Sequence, residues 1–324
     1  MKKLVVLMTA LVTALSVCGL FTACGGQKAD FTVGVCQLVQ HEALDTATKG
    51  FKDALKEELE KAGKTVKFDV QNAQGDPVTC SVIVNKFVSA KVDLIMANAT
   101  ASLQAAVNAT ETIPVLGTSV TDYGDALKIK DFNGVVGGNV SGTSDLAPLD
   151  KQADMFAELL PKAKNIGLIY CSAETNSKYQ VTEIKKHLEK KGLTTKAYPF
   201  ADSNDLTAVV TTAANECDAI YVPTDNTAAS NKEAIDNICR PAKVPVICGE
   251  EGTCIGCGIA TLSISYYNLG VETGRMAAKI LLKQGDVSTM PVAYDTNPQY
   301  KYNEEICREL GITVPENYVA IDKK

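Results

Sequence analysis

Cys248, Cys254 and Cys257 fall within ten positions of one another, and "CIGC" has the spacing of a redox pair or of half a zinc site. A redox pair normally opens a helix, whose N-terminus lowers a thiol pKa. This pair instead leads into "GIATLSI", which reads as a strand. A zinc site needs a fourth ligand, for which Cys239 is the candidate, and neither His41 nor His187 is near in sequence. Of the chain's 11 cysteines, those of this cluster read first as buried free thiols. A structural disulfide, or a surface thiol or metal protein using Cys254 and Cys257, stays open.

Hydrolytic and nucleotide chemistry find less support. Only His41 and His187 could serve a nucleophile, and no G-x-S-x-G elbow occurs. His187 shares a charged helix with Lys185, Lys186 and Lys190, a solvated face, whereas His41 follows the first strand and lines a cleft or a loop. "AGKT" lacks the earlier glycine of a P-loop and follows a helix. The paired glycines at 137 and 138 are not a dinucleotide fingerprint. No residue set assembles a reaction, so the expectation is a chain that is not an enzyme, with no cofactor and no metal.

A different pattern is persistent. Apolar runs end in small polar residues: Gln37; Asn98 and Thr100; Ser119 and Thr121; Ser172; Thr224, Asp225 and Asn226; Glu250. The elements behind them alternate. "FTVGVCQLV" reads as a strand, and Glu42 to Ala62 as a helix with Ala43, Ala47, Phe51, Leu55 and Leu59 on one stripe, stopped by Gly63. Strands "VKFDVQNA", "VDLIMANAT" and "IPVLGTSVTD" follow, with helices Val78 to Lys91 and Ala101 to Glu111 between them. After a glycine-rich passage the alternation restarts near Asn165. "NIGLIYCS", "TTKAYPFA", "DAIYVPTD" and "VPVICGE" are strands, separated by helices Lys178–Lys191, Leu206–Glu216 and Ala228–Arg240.

Strand–helix units of this length build parallel sheets wrapped by helices, and the restart implies two sheets. The fold class is therefore α/β, with two Rossmann-like lobes. Ligands of open parallel sheets bind beyond the carboxyl ends of the strands, so two facing sets of polar ends would line a cleft. For "PTDN" alone the competing reading is a capped turn, with Asp225 or Asn226 as N-cap.

Lys2 and Lys3, an apolar stretch to Ala23, and small residues before Cys24 read as an export signal. The run resembles a lipoprotein signal of residues 1–23, cut before a lipidated Cys24, with residues 24–30 as a tether to the membrane. Acidic residues exceed basic ones, 38 to 32, which excludes a broad nucleic-acid-binding face.

"VGVCQLVQHEALDTATKGFKDAL", "VQNAQGDP", "IPVLGTSVTD", "IGLIYCSAETNSKYQV", "AIYVPTDNTAAS" and "YYNLGVETGRMAAKILL" together resemble substrate-binding lipoproteins of bacterial ABC transporters, the group that includes tryptophan- and tyrosine-binding members. The resemblance implies a type I periplasmic-binding fold: a first lobe of 31–144 plus about 267–290, and a second of 145–266 plus about 291–324. It implies a monomeric receptor at the cell surface or in the periplasm, with an aromatic amino acid as ligand and ABC permease subunits as partners. A nucleoside or sugar is the alternative ligand. Thr100, Ser119 and Thr121 would then hold the carboxylate, and Asp225 or Glu250 the ammonium. Asn176 and Asn226 would orient the ligand, with Ser144 and Asp145 near the first crossing between lobes.

Overall fold

The computed structural model describes residues 29–322. The expected leader, Cys24 and most of the tether lie outside the described residues. Among the described residues no helix is long and apolar enough to cross a membrane.

Two sheets form. In the first, β1 (Phe31–Gln37), β2 (Val66–Asn72), β3 (Leu94–Asn98), β4 (Val115–Val120), β5 (Val140–Ser144) and β11 (Ala293–Tyr294) run parallel in the order β11-β5-β4-β3-β1-β2. The second has the order β13-β12-β10-β9-β8-β6-β7. Its strands are β6 (Asn165–Cys171), β7 (Thr194–Phe200), β8 (Ala219–Val222), β9 (Val246–Cys248), β10 (Ala260–Ser263), β12 (Gln299–Tyr302) and β13 (Val319–Ala320). Among the strand pairs of the described residues, β12 against β10 is antiparallel and the others are parallel.

The central strands of each sheet are buried on both faces, which is why they read as continuous apolar runs rather than alternating ones, whereas the edge strands β2 and β7 are partly exposed. In β3, Leu94 and Met96 join one core with Val33, Val35, Phe51 and Leu55, while Ile95 and Ala97 join another with Phe87 and Leu103. In β8, Tyr221 faces one core and Ile220 and Val222 the other. Helix α1 (Glu42–Lys61) buries Ala43, Ala47, Phe51, Leu55 and Leu59, the expected stripe, and packs on the helix Tyr266–Leu281. Helices α2 (Pro77–Ala90), α3 (Thr100–Ala109) and α4 (Tyr123–Leu127) complete this lobe's connections. In the second lobe stand α5 (Leu149–Leu159), α6 (Thr175–Lys190), α7 (Ser203–Glu216), α8 (Asn226–Ser230), α9 (Lys232–Cys239) and α10 (Glu251–Cys257). Helix α11 is Tyr266–Leu281, and α12 is Glu304–Leu310.

The expected single helix 228–240 is split at Asn231, whose side-chain amide donates to the Thr227 carbonyl (2.8 Å). Such local bonding competes with helix continuation. The chain passes between lobes after Ser144, after Ser263 and between Tyr294 and Gln299. Ala293 and Tyr294 pair with Thr143 and Ser144 of the first sheet, and Gln299–Tyr302 pair with β10 of the second.

Candidate functional site

A cavity of about 630 Å3 lies where the two sheets' carboxyl ends face each other. One wall is Leu38, Val39, Pro77, Thr100, Ala101 and Gln104, following β1, β2 and β3. The other is Ala173, Glu174, Asn176, Ala201, Asn226 and Thr227, following β6, β7 and β8. Its size is within the roughly 300–1,000 Å3 of small-molecule sites. The first turns of α2, α3, α6, α7 and α8 open onto it, and no Lys or Arg lines it. The positive ends of helices thus supply what a bound anion needs.

Two residues at the first lobe's strand ends carry unusual backbone. Ala99 has φ 89° and Ser119 φ 55°, the left-handed region. Such conformations cost roughly 1–3 kcal/mol each and gather at ligand clamps. The Ser119 hydroxyl is also buried with no hydrogen-bond partner, a group left for something the chain does not itself provide. Thr100 stands at the start of α3, buried against the cavity.

Inward from the cavity the polar side chains connect across the lobes. The Gln180 amide of α6 donates to Thr121 Oγ1 (3.1 Å) at the end of β4, and Thr121 Oγ1 donates to Asp145 Oδ1 (3.1 Å). Tyr266 donates its hydroxyl to Asp145 Oδ2 (2.9 Å). Gln180 also accepts from the Thr224 amide (3.0 Å), and Asn176 donates to the Thr224 carbonyl (3.0 Å). His41 meets Asn226 Oδ1 at 3.2 Å. The lobes are therefore closed on one another. On the far side of this network Glu250, Tyr266, Ser263 and Glu42 line a second cavity, of about 380 Å3, beside the crossings.

Burial pushes the Asp145 carboxyl up to about 6, against its two hydroxyl donors, and nearby Glu250 adds to the rise. Asp225 is pushed up to about 8, again by burial first and by the charge of Glu174 second.

Thr100, Asn176 and Asn226 thus line the cavity, Thr224, Thr121 and Asp145 connect to it through Gln180, and Ser119 lies buried at the end of β4 outside its lining. Ser144 braces this connection by donating to the Thr121 carbonyl (2.8 Å). Others of the expected set are committed elsewhere. Gln37 donates to Val39 O and Asp45 and accepts from Thr48 inside the first lobe. Asn98 donates to Leu44 O and Thr48, holding α1 to the sheet. Ser172 donates to Phe200 O.

Asp225, expected at the ammonium, is the N-cap of α8: its oxygens accept from Ala228 N (2.8 Å) and Cys171 N (2.6 Å). The capped-turn reading describes it. Glu250 caps α10 through the amides of Gly252 (2.5 Å) and Thr253. Glu174, Gln180 and Tyr266 escaped the sequence reading. Glu174 accepts from Asn226 and Thr227 at the cavity wall. The signal for Gln180 was present, since it stands four residues after Asn176 on the same helical face.

The cysteine cluster is not an exposed thiol site. Cys239, Cys248, Cys254 and Cys257 are free and buried. Burial raises the thiols of Cys239, Cys248 and Cys254; at Cys257 the hydrogen bond with Cys248 raises it most, followed by burial. Among the described residues no group of His, Cys, Asp or Glu has metal-holding geometry. "CIGC" forms the second half of α10 and, as expected, is followed by a strand, β10.

Two α/β lobes with three crossings and a cleft at facing strand ends define a type I periplasmic-binding protein. The chain belongs to the ABC transporter substrate binding protein family, whose model matches residues 32–324. Substrate-binding proteins of ABC transporters are extracytoplasmic and non-catalytic. The chain is 38% identical to a "Tyrosine-binding protein" of Clostridioides difficile (strain R20291), over 88% of this chain and 82% of that one. A structure from Streptococcus pneumoniae in complex with L-Trp is 34% identical, with TM-score 0.83, covering 89% of this chain and 97% of that one. A ligand-free, open substrate-binding protein with adhesive properties from Clostridium difficile is 39% identical, yet its TM-score is 0.68, over 91% and 100% of the chains. The lower score against the open structure, despite higher identity, agrees with the closed lobes seen here.

Proposed function

We propose that this chain is a monomeric receptor, held to the outer face of a membrane by a lipid on Cys24, that binds an aromatic α-amino acid and delivers it to the permease of an ABC importer. The observation that carries this is the 630 Å3 cavity at the facing strand ends, apolar through Leu38, Val39, Pro77, Ala101, Ala173 and Ala201 and polar at its inner end. An aromatic side chain fits the apolar walls. The carboxylate lies toward the first turn of α3, with Thr100 and the unpartnered Ser119 hydroxyl as donors. Hydrogen bonds to a charged group are the strong ones, roughly 1.5–3 kcal/mol each. The tyrosine-binding and L-Trp-bound relatives support the ligand class.

The test is direct. The purified protein is unfolded and any released small molecule identified by mass spectrometry; the stripped protein is then titrated calorimetrically with Trp, Tyr and Phe. Binding of at least one is expected, and failure of all three overturns the ligand assignment. A fatty-acid label should enter the protein in cells and be lost in Cys24→Ala; label retained in the variant overturns the anchor.

A further inference from the structure

If the ligand is an amino acid, its ammonium needs a negative partner. Both acids that the strand-end pattern nominated, Asp225 and Glu250, are occupied as helix caps. Asp145 is different. It is buried, it caps no helix, and its bonding partners are two hydroxyls, Thr121 Oγ1 at 3.1 Å and Tyr266 Oη at 2.9 Å. Its own backbone amide adds a third donor, and since a carboxylate has roughly four acceptor positions, one stays open. The ionisable groups facing it are Tyr266 of α11, Tyr123 of α4 and Glu250 ahead of α10; none is a cation. Among the described residues Asp145 makes no ion pair. A buried carboxylate without a cation is costly, and ordinary proteins avoid it.

The placement adds a second argument. Asp145 is the first residue after β5, where the chain leaves the first lobe, and Tyr266 opens α11, where it returns. Thr121, bonded to Asp145, is held from the opposite lobe by Gln180, whose amide also approaches the Asn176 carbonyl (3.4 Å). Asn176 lines the large cavity. One continuous line of hydrogen bonds thus runs from the cavity through Gln180 and Thr121 to the acid.

Resting on the amino-acid reading above, we infer that Asp145 is the counter-charge of the ligand's ammonium, reached when the ligand head displaces Gln180 from Thr121. A ligand's ammonium supplies three donors and the missing positive charge at once. The raised Asp145 carboxyl is consistent with this, because burial, with a smaller addition from the charge of Glu250, disfavours ionisation until a cation arrives. The rival role is structural: Asp145 as a brace between two crossings, with its charge irrelevant.

The experiment compares L-Trp and L-Tyr with their des-amino analogues, indole-3-propionate and 3-(4-hydroxyphenyl)propionate, by calorimetry on the wild type and Asp145→Asn. The Asn retains an acceptor for the brace and lacks the charge. In the wild type the amino acid should outbind its analogue, and in Asp145→Asn it should lose at least about 30-fold, the scale of one lost partner of a buried charge pair. The analogue should change little. A second measurement needs no variant: pairing with a cation lowers the carboxyl pKa, so binding at pH 6 should release about half a proton, read from buffers of different ionisation heat. An Asn variant that keeps both affinity and amine preference overturns the assignment while leaving the amino-acid reading intact. If the variant fails to fold, absence of proton release in the wild type overturns it instead. If the wild type binds no amino acid, both readings fall together.

Discussion

His41 Nε2 lies 3.2 Å from Asn226 Oδ1, joining the residue before α1 to the first residue of α8 from opposite lobes. Since an amide oxygen can only accept, the imidazole donates from Nε2. Asn226 is itself held by Glu174, to which its backbone and side-chain amides donate at 3.0 and 2.7 Å. The contact therefore connects the first lobe to a fixed point on the second.

Replacing this contact should open the lobes. His41→Ala removes one of the few polar bonds across the cleft, worth roughly 0.5–1.5 kcal/mol. Small-angle scattering of the ligand-free variant should report a larger radius of gyration than the wild type, and ligand affinity should fall about three- to tenfold. Melting temperature should hardly move, because neither core includes His41. An unchanged profile together with unchanged affinity would show that the contact does not contribute to closure.

Asp225→Ala should damage the second lobe before it damages binding. The substitution leaves the buried Cys171 amide and the Ala228 amide without acceptors. Losing the cap and orphaning a buried donor together cost about 2–4 kcal/mol. Denaturant unfolding of the ligand-free protein at pH 6 should show that loss, with Asp225→Asn intermediate. Full stability combined with lost ligand affinity would instead return Asp225 to the cleft.

These two residues also mark how far the sequence reaches. The strand–helix alternation, the two lobes and the polar strand ends were legible because each rests on local periodicity and on one general rule for parallel sheets. What each polar end does was not legible, because a carboxylate that caps a helix and one that faces a ligand share the same short side chain and position. Helix α10 was missed because Gly252 and Gly256 argue against a helix. It forms because Glu250 takes the amides of Gly252 and Thr253, and Gly256 stands where a Cβ would sit 2.5 Å from the packed Lys232 side chain. Tyr266 was invisible for a related reason: its importance comes from a bond to Asp145, 121 positions away.

The first lobe depends on close approach of α1 and α11. A Cβ at Gly270 would lie 2.1 Å from the Ala47 carbonyl oxygen, and one at Gly50 2.2 Å from the Tyr267 carbonyl oxygen. The opposing atoms are backbone, so the helices must separate to admit a methyl group. Gly270→Ala should cost at least about 1–3 kcal/mol, the range for overpacking. Arg275→Ala, on the exposed face of the same helix, should cost little. Thermal unfolding of both variants checks this, and equal melting temperatures would contradict the packing described.

The last prediction concerns pH. Asp145 and Asp225 have ordinary values of 3.8 and are raised by burial to about 6 and about 8 in the folded chain. Between about pH 4 and 8 the folded state therefore holds more protons than the unfolded one, and stability falls as pH rises through that window. Asp145 alone contributes on the order of 3 kcal/mol, fully present below about pH 4 and gone above about pH 6. Exposed acids such as Asp76 and Asp154 are lowered by their partners and act in the opposite sense, but in more acid solution. The ligand-free protein should thus melt highest in mildly acid buffer and lose stability toward pH 8. Asp145→Asn should flatten the part of the curve near pH 6, and saturating amino acid should flatten it in the wild type. Melting curves at half-unit steps from pH 5 to 8 decide the matter: a midpoint that climbs with pH would mean that both carboxyls are stabilised as anions in the folded chain.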